Sequence, residues 1–426
     1  MIPLPTILLQ MKNLRLPFFA LIGFLLCTCG PAQNEGAPEE LTDAELRSHA
    51  DELAHKFLIT DGHVDLPYRL KVKNFKLDKE YLGIPIETDA GDFDYKRAVK
   101  GGLDAPFMSI YIPSSLQEEP GESPKLADSL ITMVKGIAEA HPNKFRVTYS
   151  PEEMAANFEA GVISLPMGME NGSPIEDKIE RVREYKDKGI SYITLTHAKD
   201  NLICDSSYDT TATHGGLSDF GREVVKEMND VGIMVDISHV SDKTFWQVVE
   251  MTDVPMIASH SSVRHFTPDF ERNMDDEMIT RLGKEGGVIQ INFGSTFLDG
   301  RLRSRQDSLR GVYLERLAAK NMKYGDEGTK EMEEAFKNEF PTLYSDVEMV
   351  ADHIDRVVEL AGVDHVGFGS DFDGVGDSLP TGLKDVSAYP NLIYTLLKRG
   401  YSDEDIEKMC SGNVIRVWRA VVAAAV

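Results

Sequence analysis

The sequence has few cysteines and few positive charges, and both shortages exclude classes of protein. Four cysteines in 426 residues are too few for a scaffold held together by disulfides. Lysine and arginine number 45 against 70 aspartates and glutamates, so the formal net charge is -25. Because nucleic-acid binding depends on clustered cations, the composition argues against a nucleic-acid partner. Acidic side chains instead favour solubility and can serve as ligands for divalent cations.

The apolar run Leu16 to Leu26 is too short to span a bilayer. It follows Lys12 and Arg15, as in a secretory signal, and Met11 would give the usual short basic start. The run ends at Leu26-Cys27-Thr28-Cys29, which resembles a bacterial lipobox with Cys29 as the lipidated residue, although Thr28 departs from the usual small residue. We therefore predict an exported lipoprotein at the cell envelope, facing the periplasm or exterior, whose only membrane contact is its lipid anchor. Plain secretion, with Cys27 and Cys29 both removed, is the alternative.

Three segments follow from this interpretation: an export signal over 1–29, a flexible tether over 30–45 and a folded body over 46–426. The tether is rich in proline, glycine, alanine and acids, which is typical of flexible linkers. Only Cys204 and Cys410 remain in the body. We expect two ordinary thiols, and a single bridge in an oxidising compartment is the alternative.

Helical patterns in the body alternate with short apolar runs that end in Gly, Ser, His or Asp, which is the pattern of a parallel α/β sheet. Eight runs are candidate strands, the number that a closed (β/α)8 TIM-like barrel requires: 57–60, 105–111, 162–166, 192–195, 233–237, 254–258, 288–293 and 365–369. An open doubly wound sheet would give a similar local pattern. No glycine-rich dinucleotide fingerprint supports that alternative.

Residues 294–345 break the alternation, because the segment is long, charged and mostly helical in propensity. We predict a helical insertion here. It would either cover one end of the barrel or form a solvated decoration without a role in substrate access.

Histidines and carboxylates occur where the predicted strands end, and in a parallel barrel the active site lies at those ends. His63 and Asp65 are two residues apart, so an extended backbone would direct both side chains to one side. Four further strand ends carry one such residue each: Glu170, His239, His260 and Asp371. Imidazoles and carboxylates are the ligands that zinc prefers. The pattern therefore predicts a pair of Zn²⁺ ions bridged by a carboxylate.

The order of these motifs resembles the membrane dipeptidase (renal dipeptidase) family of zinc peptidases over about Leu46 to Val421. The resemblance lies in seven runs of sequence: Asp61-Gly62-His63-Val64-Asp65-Leu66-Pro67, Gly168-Met169-Glu170-Asn171-Gly172, Leu195-Thr196-His197, Asp236-Ile237-Ser238-His239-Val240-Ser241, Ser259-His260-Ser261-Ser262, Arg272-Asn273 and Gly367-Phe368-Gly369-Ser370-Asp371-Phe372-Asp373-Gly374. Val64 replaces the family's usual Asn. The resemblance implies a metallo-dipeptidase that hydrolyses dipeptides and is compatible with a homodimer.

The resemblance also implies a role for each motif residue. His63 and Asp65 would bind one zinc ion, His239 and His260 the other, and Glu170 would bridge the two. Catalysis would use Asp371 as the general base, His197 as a donor to the oxyanion and Arg272 as a clamp for the C-terminal carboxylate of the substrate. For Arg272, a surface ion pair with Asp275-Asp276-Glu277 is the alternative. For Asp373 we expect a turn or supporting role.

Two other functions remain open from the sequence. The first is a different metal-dependent amidohydrolase that acts on a small amide or lactam, although such enzymes usually begin with His-x-His rather than His63-x-Asp65. The second is a catalytically silent lipoprotein that binds peptides. Retention of the candidate base and of the candidate oxyanion donor argues against it, because a binding protein needs neither. Mn²⁺ or Co²⁺ could also occupy such a ligand set.

Overall fold

The computed structural model describes residues 41–71, 84 and 86–426. The predicted export signal and residues 30–40 of the predicted tether lie outside the described residues. No helix among the described residues is long and apolar enough to cross a membrane.

Eight parallel strands form one sheet in the order β1-β2-β5-β6-β7-β8-β9-β10. Their bounds are β1 Ile59–Val64, β2 Leu103–Tyr111, β5 Met167–Glu170, β6 Ile190–Thr194, β7 Met234–Asp236, β8 Ile257–Ser261, β9 Val288–Ile291 and β10 Val366–Phe368. The first and last strands meet just beyond β10, where the Asp65 amide donates to the Phe372 carbonyl (2.9 Å) and the Asp371 amide to the His63 carbonyl (3.1 Å). The predicted (β/α)8 barrel is confirmed.

Sixteen α-helices are found in the described residues. Those before β7 are α1 Asp43–Lys56, α2 Leu66–Arg69, α3 Tyr95–Gly101, α4 Glu122–Ala140, α5 Pro151–Glu159, α6 Glu180–Lys188 and α7 Asp219–Val231. Those between β7 and β10 are α8 Asp242–Met251, α9 Asp276–Lys284, α10 Ser295–Leu298, α11 Gly300–Ala319, α12 Thr329–Glu339 and α13 Val347–Ala361. The chain ends with α14 Tyr389–Lys398, α15 Asp403–Glu407 and α16 Asn413–Ala424.

The unit from α7 to β7 shows how the sequence produces these elements. The Ser218 hydroxyl accepts from the Gly221 amide and begins the helix. Gly232 ends it at φ +74°, a left-handed conformation that glycine adopts without strain. Val224, Val225 and Met228 lie on the buried face of the helix. The apolar spacing and both end signals were visible in the sequence.

One predicted barrel strand is wrong. The run 162–166 does not enter the barrel, because Ile163–Leu165 (β4) pairs instead with Phe145–Val147 (β3) in a separate two-stranded sheet. The barrel strand begins one residue after Pro166 and ends at Glu170 itself. Proline has no amide hydrogen for a sheet ladder, so Pro166 divides one apolar run into two strands that belong to different sheets.

The N-terminal end of the barrel is closed by the C-terminal helix. Met234, Ile257 and Val288, each the first residue of its strand, form one buried cluster with Phe107 of β2 and Trp418 of α16. The ring centroids of Phe107 and Trp418 are 5.6 Å apart. This packing leaves the opposite end of the barrel as the open one.

The insertion lies at that opposite end. The Ser295 amide, which opens α10, donates to the carbonyl of Ser378 in the loop after β10 (2.8 Å). The guanidinium group of Arg303 in α11 lies 3.5 Å from the ring centroid of Phe270 in the loop after β8. The insertion therefore contacts the loops that follow β8 and β10.

We expect Trp418→Ala to reduce the free energy of unfolding by about 3–5 kcal/mol, because it leaves a cavity beneath the barrel. Denaturant titration followed by circular dichroism measures the change. Val422→Ala, a partly exposed position on the same helix, serves as the control and should cost less than about 0.5 kcal/mol. Equal effects of the two changes would contradict the conclusion that α16 closes the N-terminal end of the barrel.

Candidate metal centre

The predicted ligands converge on one buried point at the open end of the barrel. His63 lies in β1, Glu170 is the last residue of β5, and His260 lies in β8. Asp65 begins α2 directly after β1, and His239 follows β7. All five side chains are buried. The β8 strand begins three residues later than predicted, so His260 is part of the strand instead of following it.

Glu170 lies at the centre of this cluster. Its Oε1 atom is 3.0 Å from His239 Nε2, 3.3 Å from His260 Nε2 and 3.6 Å from His197 Nε2. Its other oxygen, Oε2, is 3.4 Å from His63 Nε2, which is in turn 3.5 Å from Asp65 Oδ2. One carboxylate therefore has the His63 and Asp65 pair on one oxygen and the His239 and His260 pair on the other.

These separations fit the spacing of ligands around metal ions. Ligand atoms at zinc bond lengths of 2.0–2.1 Å in a tetrahedron are about 3.3 Å apart. Three overlapping groups have their ligand atoms within 4.8 Å of one another: His63 with Glu170 and His260, Glu170 with His197 and His239, and His63 with Asp65 and Asp371. The His63 Nε2 and Asp65 Oδ1 atoms are buried and make no hydrogen bond with the described residues. The donor set fits two divalent cations.

The tautomer of His63 is set by Tyr192. The Tyr192 hydroxyl donates to the Gly62 carbonyl (2.9 Å), which can only accept. The hydroxyl must then accept from His63 Nδ1, 2.9 Å away, so Nδ1 carries a proton and the Nε2 atom faces the cluster. Tyr192, Glu170 and Asp65 together outweigh burial and raise the pKa of His63, so a cation must displace a proton from Nε2.

His260 is oriented by a similar series of hydrogen bonds. Its Nδ1 atom is 2.7 Å from the Ser259 hydroxyl, and that hydroxyl donates to the Asp236 carboxylate at 2.6 Å. A carboxylate only accepts, so His260 donates from Nδ1 and its Nε2 lone pair faces Glu170. Burial, reinforced by the charges of His63 and Arg272, holds the pKa of His260 well below its usual range. The ring is therefore neutral, as a metal ligand must be.

The pKa of Glu170 is shifted in the direction opposite to the one that burial alone would cause. Burial alone would raise its pKa, but the surrounding imidazoles, first those of His63 and His197 and then those of His239 and His260, hold it well below its usual range. For His239, burial and the charge of Arg272 lower the pKa well below its usual range. The cluster therefore contains an ionised carboxylate that faces the protonated ring of His63 and the neutral rings of His239 and His260.

The backbone is strained at two of the site residues. His239 has φ +69° and Asp371 has φ +62°, a region that residues other than glycine adopt only with support from their surroundings. Gly374 shows how tight the turn after β10 is, because a Cβ atom there would lie 2.1 Å from Asp371 Oδ1 and 2.2 Å from Asp65 Oδ2. Only glycine leaves room for both carboxylates.

Asp371 lies beside the His63 half of the cluster. Its Oδ2 atom accepts from the Asn292 side chain at 2.8 Å, at the end of β9. Burial, followed by the negative charges of Asp65 and Glu170, raises the pKa of Asp371 to about 7. Asn292 was not identified from the sequence, although it also directly follows a strand and the same rule could have found it.

His197 lies on the opposite side of Glu170 and also contacts Tyr111. The two ring centroids are 4.7 Å apart, and the ring centroid of His239 is 4.2 Å from that of His197. Burial lowers the pKa of His197. Its Nδ1 atom is buried without a hydrogen bond to the described residues. It is placed to act either as a donor near Glu170 or as a further metal ligand.

Arg272 is buried beside the cluster, and the alternative of a surface ion pair is wrong. Its guanidinium group donates to the Ser261 hydroxyl (2.7 Å) and to the His260 carbonyl (2.8 Å), which are both uncharged. The acids of the 275–277 cluster pair elsewhere: Asp275 with Arg264, and Asp276 with Arg356. Within the described part of the chain, Arg272 has no carboxylate within ion-pair distance. A buried cation of this kind is suited to an anionic ligand.

Asp373 has the supporting role that we expected. Its Oδ1 atom accepts from the Asp92 amide at 2.7 Å and forms an ion pair with Arg69, whose Nε lies 2.8 Å away. This buried pair connects α2, which follows Asp65, with the turn that follows Asp371. It therefore holds the two segments in register.

Cys204 and Cys410 are separate, buried free thiols, as the sequence predicted. Burial raises the pKa of Cys204 well above its usual range. It is therefore not suited to act as a nucleophile.

The family model for membrane dipeptidase (peptidase family M19) matches residues 47–426. The dipeptidase tcpJ of Claviceps purpurea is 30% identical over 93% of this chain and 86% of its own length. An uncharacterized dipeptidase of Schizosaccharomyces pombe is also 30% identical, over 85% of this chain and 80% of its own length.

Among solved structures, the probable dipeptidase PvdM of Pseudomonas aeruginosa has the same fold. It superposes with a TM-score of 0.74 at 26% identity, covering 90% of this chain and all of that one.

We expect Tyr192→Phe to weaken Zn²⁺ binding about 10- to 100-fold, because the acceptor that keeps the His63 proton on Nδ1 is lost. Competition with a chromophoric chelator measures the affinity. Tyr149→Phe, an exposed tyrosine outside the cluster, is the control and should bind as wild type does. Unchanged affinity in Tyr192→Phe would show that the hydroxyl does not orient His63.

Proposed function

The chain belongs to the membrane dipeptidase family of metallopeptidases, and on that premise we propose that it uses two zinc ions to hydrolyse the peptide bond of dipeptides. The observation that carries the proposal is the position of Glu170, which has His239 and His260 on Oε1 and His63, itself beside Asp65, on Oε2. A bridging carboxylate between two ions needs this arrangement.

In the proposed site, His63 and Asp65 hold one ion, His239 and His260 hold the other, and Glu170 contacts both. When bound, two divalent ions supply a lowered pKa for water and a polarised peptide carbonyl. Zinc suits this mixture of nitrogen and oxygen ligands. The fixed orientations of the His63 and His260 rings support the assignment, because neither ring must turn to present its Nε2 atom to a cation.

We assign Asp371 as the general base. A group that both takes and returns a proton works best with a pKa close to the operating pH, and the pKa of this carboxyl is raised to about 7. The Asn292 amide holds Oδ2, so Oδ1 remains for the water proton and its transfer to the leaving amine.

His197 and Arg272 are assigned to the substrate. His197 would donate a hydrogen bond to the oxygen that becomes negative when the carbonyl is attacked, a contribution of about 3–4 kcal/mol in comparable sites. Arg272 would bind the free C-terminal carboxylate, since its guanidinium group is buried among uncharged acceptors. This role of Arg272 requires a free C-terminal carboxylate on the substrate. An insertion that covers the site would in addition limit the substrates to short peptides.

We also propose that the protein is exported and anchored to the cell envelope through Cys29. The support is the sequence alone: a basic start, the apolar run Leu16 to Leu26 and a lipobox-like Leu26-Cys27-Thr28-Cys29.

The purified protein should hydrolyse members of a panel of L,L and L,D dipeptides, lose that activity on chelation and regain it with two equivalents of Zn²⁺ per chain. Asp371→Asn should lower kcat by about 10²–10⁴-fold while two ions still bind, because only proton transfer is removed. Asp377→Asn, the same change on an exposed residue of the same loop, is the control.

Activity that survives complete removal of metal would refute the mechanism. If two ions bind and a small amide or lactam is cleaved but no dipeptide is, the result would favour another type of amidohydrolase. Tight peptide binding with no hydrolysis of any amide would favour the silent binding protein.

Expression of the full chain in a bacterial host tests the anchor. Wild type should fractionate with membranes and incorporate labelled fatty acid, whereas Cys29→Ser should do neither. Cys27→Ser is the matched control and should behave as wild type. Fatty-acid labelling that is unchanged in Cys29→Ser would rule out this anchor.

A further inference from the structure

A series of ring contacts leads from the metal centre to the insertion. The ring of Tyr208, in the loop after β6, is 5.9 Å from that of His239 and 6.1 Å from that of Phe270. Phe270 is in turn 5.5 Å from Phe297. We call Tyr208, Phe270 and Phe297 the aromatic wall. Tyr208 is 43% exposed although burial raises the pKa of its hydroxyl, as expected for a ring in the side of an open cleft.

Two guanidinium groups lie against this wall. Arg272 lies 5.5 Å from the ring centroid of Phe297, and Arg303 lies 3.5 Å from that of Phe270. The charges that act on the Tyr208 hydroxyl come from Arg272, Arg303, Asp371 and Glu170. The hydroxyl is therefore in range of both arginines and of the site carboxylates, which places Arg303 near the substrate cleft.

Arg303 retains capacity to bind an anion. Its nearest carboxylate among the described residues is Asp307, at 3.7 Å, and that side chain is 60% exposed. Such a distance is too long for a hydrogen bond, and an exposed pair of this kind is weak. By contrast, Arg301 on the same helix bonds Asp299 at 2.7 Å and is 86% exposed. Stacking on Phe270 holds Arg303 in place and leaves its N–H edge free.

Resting on the dipeptidase function proposed above, we propose that Arg303 selects dipeptides whose C-terminal residue has an acidic side chain. Arg272 would hold the α-carboxylate of that residue at one end of the aromatic wall. The side chain of the same residue then extends along the wall, where Arg303 is the cation that it meets. A second carboxylate on the substrate would bind there.

The net charge of the chain bears on the proposed preference for dipeptides with an acidic side chain. A formal net charge of -25 and the carboxylates of the centre repel an anionic substrate at long range. Preference for a doubly anionic dipeptide therefore requires local cations at the cleft. Arg303 comes from the insertion and not from the barrel, so the preference would belong to this segment.

The test compares kcat/KM for Ala-Glu, Ala-Gln and Ala-Lys, each with an L- or D-configured second residue. Wild type should prefer Ala-Glu to Ala-Gln, and the preference should weaken as salt is added, because Arg303 is partly exposed. Arg303→Met should reduce the Glu-to-Gln ratio about tenfold, and Arg303→Glu should shift preference toward Ala-Lys. Arg301→Met, which removes the same charge two residues away, should leave the ratio unchanged.

Calorimetric binding of the same dipeptides to Asp371→Asn, with and without Arg303→Met, supplies a readout that does not need turnover. Equal treatment of Ala-Glu and Ala-Gln by wild type, or equal effects of Arg301→Met and Arg303→Met, would overturn the proposal for Arg303 and leave the dipeptidase function intact. Failure to turn over any dipeptide would overturn the dipeptidase function. In that case the binding ratio still decides whether Arg303 recognises the acidic side chain.

Discussion

Glu170 is a buried carboxylate surrounded by imidazoles, and the rest of the site depends on keeping it ionised. Four histidines approach its two oxygens, at distances between 3.0 and 3.6 Å. Burial alone would neutralise the carboxyl, so its charge is maintained only because these rings arrive from four different strand ends. A parallel barrel is the architecture that brings those ends to one place.

The ligands are held by a second layer of hydrogen bonds with a fixed direction. Acceptor groups that cannot donate, the Gly62 carbonyl and the Asp236 carboxylate, determine where the protons of Tyr192 and Ser259 must point. Those hydroxyls in turn fix the protons of His63 and His260. The Nε2 atoms of both rings therefore face the centre before any cation arrives, so neither ring has to turn when a cation binds. Strain at His239 and Asp371 is tolerated for the same reason, since the surrounding bonds over-determine the backbone there.

The insertion carries the residue that we propose to select the substrate beside this rigid centre. The barrel supplies the cluster and Arg272, whereas α11 supplies Arg303 on the far side of the aromatic wall. Chemistry and specificity are thus carried by different segments of the chain. A loop on a stable scaffold can vary without disturbing the ligands, which is how barrels accommodate different substrates.

The fold class and the identities of the candidate ligands could be read from the sequence alone, because both depend on local signals. Alternating apolar runs predict strands, helix caps mark boundaries, and residues directly after strands lie at one end of a barrel. Features that depend on residues far apart in the chain were decided by the tertiary structure. Pro166 divides a single apolar run between two sheets, and Tyr192, Asn292 and Arg303 reach the site across the barrel. The burial of Arg272 without an acid partner was likewise decided by packing, since nearby acids in the sequence pair with other arginines.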